Sequence, residues 1–216
     1  MESISKQEGI GVLDNLIKVI QEQKQYLSDI DGAIGDGDHG INMNKGFGMC
    51  REELDKNPGD LPHGLNILSR VLMMKIGGAM GPLYGKFFKG ISAALSEHKT
   101  IDALAFGEAL KASKAGIGSI SQAKIGDKTL VDALYPAVDA YQAAMEEGKD
   151  FRAALAAMKK AANAGRDYTK DLVAKIGRSS RLGDRSKGVV DAGAASCALI
   201  LETMADTLTG LINQNQ

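Results

Sequence analysis

The sequence predicts an all-α fold of about eight helices, antiparallel where the connections are short. Apolar side chains recur at three- and four-residue intervals almost throughout the chain. No segment shows strand-like alternation bounded by turn signals, and Gly188-Val-Val-Asp191 is too short to count as one. Glycine is abundant, at 26 of 216 residues, and it concentrates in the loops that would join helices.

Taken in order, Ile10, Leu13, Ile17 and Ile20 form the first apolar stripe, with Ser3 or Ser5 as cap and Tyr26-Leu27 closing the segment. A second helix follows Gly40, with Ile41, Phe47 and Leu54 on one rough stripe. Lys56-Asn-Pro-Gly-Asp60 breaks the chain, and Pro62 opens a third helix through Leu65, Leu68, Leu72 and Ile76. After Gly77-Gly-Ala-Met-Gly-Pro82 a fourth helix begins at Pro82, a residue suited to a first turn, and carries Phe87, Phe88, Ile91 and Leu95. The fifth spans Ala103–Ser119 and the sixth Leu130–Met145, the latter preceded by Gly126-Asp-Lys-Thr129. The alanine-rich stretch Phe151–Ile176 has high intrinsic helix propensity and reads as the seventh. A last apolar helix runs from about Gly193 to Ile212.

At this length the chain reads as one domain, residues 1–216, able to bury a full core. With 26 basic and 27 acidic side chains, nothing marks an electrostatic nucleic-acid binder. Cys50 and Cys197 fall inside helical patterns and read as buried, reduced thiols. The N-terminus lacks the basic and apolar regions of a signal peptide, and no apolar run is read as membrane-spanning. The expectation is a cytoplasmic protein that engages neither membrane nor nucleic acid.

The stretch IGDGDHGIN at 34–42 carries the chemistry. With Asp31 just upstream, it places Asp31, Asp36 and Asp38 within eight residues, separated by Gly32, Gly35 and Gly37. Three carboxylates crowded this closely repel one another unless a cation sits among them. Hard oxygen ligands on a bendable backbone suit Mg²⁺ or Ca²⁺, and Mg²⁺ commonly shares its coordination with substrate phosphates. An EF-hand does not fit: counted from Asp36, position six is Ile41 rather than Gly, and position twelve is Phe47 rather than Glu. An ordinary polar turn with Asp as helix cap is the alternative reading of the same residues. If the helices alternate in direction, the acidic loop, GGAMGP, IGDKT and the segment GRSSRLGDRSKGVVDAG gather at one end. Glycines, acids, an arginine and helix N-termini would there make a magnesium–polyphosphate site.

Four motifs, IGDGDHGINMNKGF, GGAMGPLYGKFF, GDKTLVDAL and GRSSRLGDRSKGVVDAGAAS, resemble in order and spacing those of the nucleotide-binding L subunits of bacterial dihydroxyacetone kinases. The resemblance spans essentially the whole chain and implies a closed barrel of eight antiparallel helices with the nucleotide at one end. It implies that Asp31, Asp36 and Asp38 hold two Mg²⁺ ions between carboxylates and phosphates. His39, Gly40, Ile41 and Asn42 match the segment that wraps the nucleotide, Ala79 and Met80 the second loop's contacts, and Leu130 an apolar contact near the base. Ser121, Arg178 and the loop Asp191-Ala192-Gly193 complete the nucleotide set that the resemblance implies. Met80 stands where the family commonly has Ser, Ala192 where it has Pro, and Ser121 where a Gly is common; Val189-Val190 also replaces more polar residues.

The remaining single residues have plainer readings. His63 and His98 read as surface residues, and His39 as loop-shaping or phosphate-adjacent rather than as a general base. Leu72-Met73-Met74 reads as core filling and Lys159-Lys160 as a solvated face. Arg178, Arg181 and Arg185 form a basic loop open to phosphate, partner or solvent.

The function implied by the resemblance is a phosphotransferase with an alcohol group as acceptor. It would hold ADP or ATP with Mg²⁺ and pass the γ-phosphoryl group to dihydroxyacetone, or a related short-chain ketose, bound by a separate K-type subunit. In the phosphotransferase-system form, an M-type subunit recharges the bound ADP from phosphoenolpyruvate. The histidine that binds the ketone belongs to the K-type partner, so none of the three histidines here takes that role. A homodimer is compatible with this reading. A fatty-acid-kinase-like nucleotide domain and a nucleotide-sensing regulatory module are the alternatives.

Overall fold

The computed structural model describes residues 2–215. Among them are nine α-helices: α1 (Ile10–Glu22), α2 (Lys24–Ile34), α3 (His39–Lys56), α4 (Leu61–Lys75), α5 (Met80–Ser96), α6 (Ala103–Gly118), α7 (Val131–Glu146), α8 (Phe151–Tyr168) and α9 (Ala192–Gln214). Two three-residue strands, β1 (Ser3–Ser5) and β2 (Thr100–Asp102), pair antiparallel with Ile4 opposite Ile101. Successive helices pack on one another from α3 to α9, and α9 returns to pack on α1, so the ring of helices closes. One apolar core fills it, from Leu13, Leu16 and Ile20 on α1 to Ile200, Leu201 and Met204 on α9, all at most 1% exposed.

The expected all-α class is what the chain adopts, and its elements depart from the sequence reading in a few places. The first predicted helix is two, α1 and α2, with a one-residue bend at Gln23. Backbone bonds run across it, from Gln23 N–H to Val19 O and from Leu27 N–H to Gln23 O, so the apolar period hides the bend. Ser3 and Ser5 lie in β1 and do not cap α1, whose N-cap is Gly9. Ser5 instead exchanges bonds with Glu8, its Oγ accepting from Glu8 N–H and its own N–H donating to the Glu8 carboxylate, a capping box around the turn ahead of the helix. On α3, Ile41 is 52% exposed; the buried stripe is Gly40, Met43, Phe47, Cys50 and Leu54. Met73 and Met74 are exposed as well, at 41% and 70%, and only Leu72 of that trio fills the core.

The largest departure is α8, which ends at Tyr168 rather than at Ile176. The Thr169 hydroxyl donates to Arg166 O at 2.6 Å and accepts from Asp191 N–H at 3.0 Å, so the chain turns there through a short 3-10 segment. Helix propensity yields to a tertiary contact, and residues 172–191 are released to form one wall of a cavity. α9 is long and apolar enough to cross a membrane by length and composition, which the sequence reading did not register. It is the core helix of the ring, packed on α1, α2, α7 and α8. Cys50 and Cys197 are buried and unbridged, and burial pushes the Cys50 thiol up to about 12.

Candidate functional site

Because the helices alternate in direction from α2 onward, the chain ends of α2, α4 and α8 and the starts of α3, α5, α7 and α9 meet at one end of the ring. They enclose a cavity of about 270 Å³ lined from all four glycine-bearing loops, the convergence the sequence implied. Four helix N-termini therefore face one space, each with the positive end of a helix dipole, though the first-turn N–H groups of α7 are taken by Thr129 and Leu130. A larger cavity, of about 770 Å³, lies at the opposite end between β1, α6, α7, α8 and α9 and shares no residue with this one.

Asp31 sits in the last turn of α2, Asp36 in the loop, and Asp38 at the N-cap position of α3. One carboxylate oxygen from each lies within 4.8 Å of the others. Gly37, at φ +75°, makes the reversal that brings Asp36 and Asp38 back over Asp31. Asp31 Oδ2 accepts from His39 N–H at 3.2 Å, which ties α2 to the first residue of α3. The Arg178 guanidinium, from the wall segment after α8, bonds Asp36 and approaches Asp38 at 3.4 Å. A protein cation thus occupies the space between two of the carboxylates. All-oxygen donors that already gather a positive charge fit a hard divalent ion such as Mg²⁺.

The other expected residues divide clearly. His39, Asn42, Ala79, Met80, Leu130, Arg178, Asp191, Ala192 and Gly193 all line the cavity with the three aspartates. Gly40 is buried just behind the lining, where a Cβ would collide with the Lys24 carbonyl oxygen and lie 2.6 Å from Ser28 Oγ. Ile41 points outward on the exposed side of α3, and Ser121 lies outside the lining, its Oγ accepting from Ala123 N–H at 3.2 Å. His63 and His98 are partly exposed and lie away from the cavity; His98 Nε2 is 2.7 Å from Glu108. Lys159 is more than a solvated side chain, since it bridges α8 to Glu202 and Asp206 on α9.

Four residues that shape the site escaped the sequence reading. Lys128, within the quoted GDKT motif, is 1% exposed at φ +63°, and its Nζ donates to Thr169 O and Val189 O at 2.6 Å and to Leu172 O at 3.3 Å. It staples the loop before α7 to the wall segment, and burial lowers its pKa despite Asp191, Asp171 and Asp132 nearby. Asp132, also 1% exposed, accepts from Gly126 N–H and Thr129 N–H at 2.5 and 2.7 Å and so holds that loop's shape. Nothing in the local pattern distinguishes either from a surface charge; only the position inside a recurring motif could have flagged them. Tyr84, which also lines the cavity, bonds Ser196 behind it at 2.6 Å, and Ser196 Oγ lies 2.8 Å from His39 Nε2.

One carboxyl and one imidazole at the site differ from their ordinary state. Burial pushes the Asp191 carboxyl up to about 7, with Asp132 and Asp31 adding to the rise against the Ala194 N–H bond and Lys128. Asp191 also N-caps α9 through that 2.8 Å bond from Ala194 N–H. Burial lowers the pKa of His39 and outweighs the opposing pull of Asp31 and Asp38.

The fold and this end of it define an all-α ring with a cation-gathering acidic cluster set against an anion-attracting floor of helix N-termini. The chain belongs to the DAK2 domain family, whose sequence model matches residues 33–206. It is 40% identical over 189 residues to the ADP-binding subunit DhaL of PEP-dependent dihydroxyacetone kinase 1 from Listeria innocua, spanning 87% of this chain and 89% of that one. It is 35% identical over 190 residues to the ADP-binding subunit DhaL of the PTS-dependent dihydroxyacetone kinase of Lactococcus lactis, spanning 88% and 91%. These relatives are kinase subunits, enzymes whose acceptor carries an alcohol group. Among solved structures, the dihydroxyacetone kinase of C. freundii superposes with TM-score 0.67 at 22% identity in its native form, covering 95% of this chain and 36% of that one. The same kinase in complex with AMP-PNP and Mg²⁺ superposes at 0.65. The chain spans about a third of the length of that kinase, and this likeness establishes the fold.

Proposed function

We propose that this chain is the nucleotide-holding subunit of a ketose kinase, a single domain over residues 1–216 acting in the cytoplasm. It holds ADP or ATP with two Mg²⁺ ions and passes the γ-phosphoryl group to dihydroxyacetone, or a related short-chain ketose, on a separate K-type subunit. An M-type subunit returns phosphate from phosphoenolpyruvate to the bound ADP. The observation that carries this reading is the convergence of Asp31, Asp36 and Asp38, their oxygens within 4.8 Å, at the edge of a cavity floored by four helix N-termini. The names of relatives at 35–40% identity that span most of both chains support the choice of nucleotide and of phosphate source.

Asp31, Asp36 and Asp38 would hold the metal, which when bound supplies positive charge to the phosphates and to charge developing on them. The chain's own residues do the positioning. The unpaired N–H groups at the starts of α3, α5 and α9 bind phosphate oxygens without reorganising. Leu130 and Leu83 give the cavity an apolar side suited to a base. Arg178, already among the acids, is long enough to follow charge from carboxylate to phosphate. Met80 has no hydroxyl to offer, so the second loop grips through its backbone.

The test is calorimetric titration of the purified chain with Mg-ADP, together with native mass spectrometry for nucleotide retained through purification. Tight binding that requires Mg²⁺ is expected. The absence of any binding to the wild-type chain would overturn the reading. Reconstitution with a K-type subunit, supplied either with ATP or with a phosphoenolpyruvate-charged M-type subunit, then distinguishes the phosphate source.

A further inference from the structure

At the cavity floor three side chains from three helices meet in a hydrogen-bonded chain. Tyr84 of α5 lies 2.6 Å from Ser196 of α9, and Ser196 lies 2.8 Å from Nε2 of His39 at the start of α3. Tyr84 is 1% exposed and Ser196 fully buried, so water does not compete for these bonds. The two hydroxyls also lie 3.0–3.1 Å from the carbonyls of Ala192 and Gly193. Two hydroxyl protons and one imidazole proton have to be distributed over this set.

Three distributions satisfy Nε2. In the first, Tyr84 donates to Ser196 and Ser196 donates to Nε2, which leaves the imidazole proton on Nδ1. In the second, Nε2 carries the proton and donates to Ser196, and both hydroxyl protons go to the carbonyls. In the third, Nε2–H donates to Ser196, Ser196 to Tyr84, and Tyr84 to the Gly193 carbonyl. Three physical points favour the first. The Tyr84–Ser196 and Ser196–His39 separations are shorter than any hydroxyl–carbonyl separation, which disfavours the second, where neither hydroxyl bonds the other. The two carbonyls belong to the first turn of a helix and accept from N–H groups four residues on, so they do not need the hydroxyl protons that the second and third distributions send them. Finally, His39 lines the cavity with Nε2 turned into the wall, so Nδ1 is the nitrogen left for the cavity side, where Asp31 and Asp38 act on the ring. A lone pair facing two carboxylates and an incoming anion is repelled; an N–H is attracted.

We propose that Tyr84 and Ser196 are positioning residues that fix the tautomer of His39, placing its proton on Nδ1 as a neutral hydrogen-bond donor to a phosphate oxygen in the cavity. This rests on the reading that the cavity takes a magnesium-bound nucleotide.

The experiment uses the full chain labelled with ¹⁵N-histidine, at pH 8, in two-bond ¹H–¹⁵N correlation spectra with and without Mg-ADP. The chain has three histidines, and the His39 signals are those missing from His39→Gln. The expected result is the Nδ1–H pattern in the wild type, moved towards Nε2–H in Ser196→Ala and in Tyr84→Phe. Mg-ADP affinity should fall about three- to tenfold in both variants, the value of one neutral hydrogen bond. Tyr84→Phe keeps the ring that stacks on Phe88, so it serves even if Ser196→Ala folds poorly. An Nε2–H pattern in the nucleotide-bound wild type overturns the proposal while leaving the proposed function standing. A lowered melting temperature with an unchanged tautomer pattern in both variants also overturns it, because it marks a merely structural role. A wild type that binds no Mg-ADP overturns the proposed function and the inference with it.

Discussion

The Arg178 guanidinium rests on the Asp36 carboxylate, so that the side chain of the wall segment neutralises part of the acidic cluster. Asp36 and Asp38 in turn hold Arg178 firmly protonated. A metal entering this cluster has to displace that guanidinium. Arg178→Gln is therefore expected to bind Mg²⁺ alone more tightly, by roughly two- to fivefold, the scale of an exposed ion pair. Titration of Mg²⁺ without nucleotide, followed by calorimetry or ²⁵Mg relaxation, checks it; weaker Mg²⁺ binding would mean that Arg178 supports the metal instead of competing with it.

Asp36→Asn should abolish tight Mg-ADP binding and leave the circular dichroism spectrum unchanged, because Asp36 is exposed in a loop outside the core. Removing one of three mutually repelling carboxylates would by itself raise the stability of the metal-free protein. The pairing with Arg178 offsets that gain, since the same substitution also removes the guanidinium's partner. The melting temperature of the metal-free variant is thus expected to stay close to that of the wild type. Unchanged Mg-ADP affinity would remove the cluster from the site.

Asp191 supplies a pH dependence. Its folded pKa, about 7, stands above the ordinary carboxylate value of 3.8, so between these values the folded state binds more protons than the unfolded one. Stability linked to this group is therefore full below about pH 4 and is lost as pH rises towards 7. Asp191→Asn lacks that loss and can still cap α9. In chelator, the difference in melting temperature, variant minus wild type, should become more positive from pH 5 to pH 8. A constant difference would show that the folded pKa of Asp191 does not lie within this range.

The helix order and the site loops were legible because their signals are local. Apolar spacing marked Leu65, Leu68 and Leu72 on α4 and Phe87, Phe88 and Ile91 on α5, all buried. Glycines and aspartates marked the turns that alternating helices bring together. What was not legible depends on partners distant in sequence. Thr169 ends α8 because Asp191 is there to meet it, and Lys128 is buried because three carbonyls from two other segments surround it. The β1–β2 pair joins residues almost a hundred positions apart through three-residue strands, too short for alternation to register. Met73 and Met74 were assigned to the core on residue type alone, yet they fall on the outer face at the end of α4.

Met80 tests whether the second loop needs a hydroxyl. Met80 is the first residue of α5, partly buried against the core, and the backbone around it keeps Gly77, Gly78 and Gly81, with Gly78 at φ +72°. The N–H groups that face the cavity are therefore intact. Met80→Ser is expected to change Mg-ADP affinity by less than about 1 kcal/mol, the range of one neutral hydrogen bond. An improvement of well over tenfold would show that the wild-type loop is deficient and would favour a regulator or another phosphoryl donor.

Gly40 and Gly48 lie two turns apart on α3 and should respond to alanine in opposite directions. At Gly40 the start of α3 presses against α2, and a Cβ there would collide with the Lys24 carbonyl oxygen and come within 2.8 Å of Ser28 N. Backbone cannot yield as a side-chain tip can, so Gly40→Ala should cost about 1–3 kcal/mol. Because α3 starts at His39, the same displacement would move the N–H groups and the Asp31–His39 bond that shape the cavity, and Mg-ADP affinity should fall together with stability. At Gly48 a Cβ meets nothing within 4 Å, so Gly48→Ala should stabilise by about 0.5–1 kcal/mol through helix propensity, with affinity unchanged. Chemical denaturation and Mg-ADP titration of the two variants side by side decide the matter. Equal tolerance at both positions would mean that the α2–α3 contact is looser than the close approach at Gly40 requires.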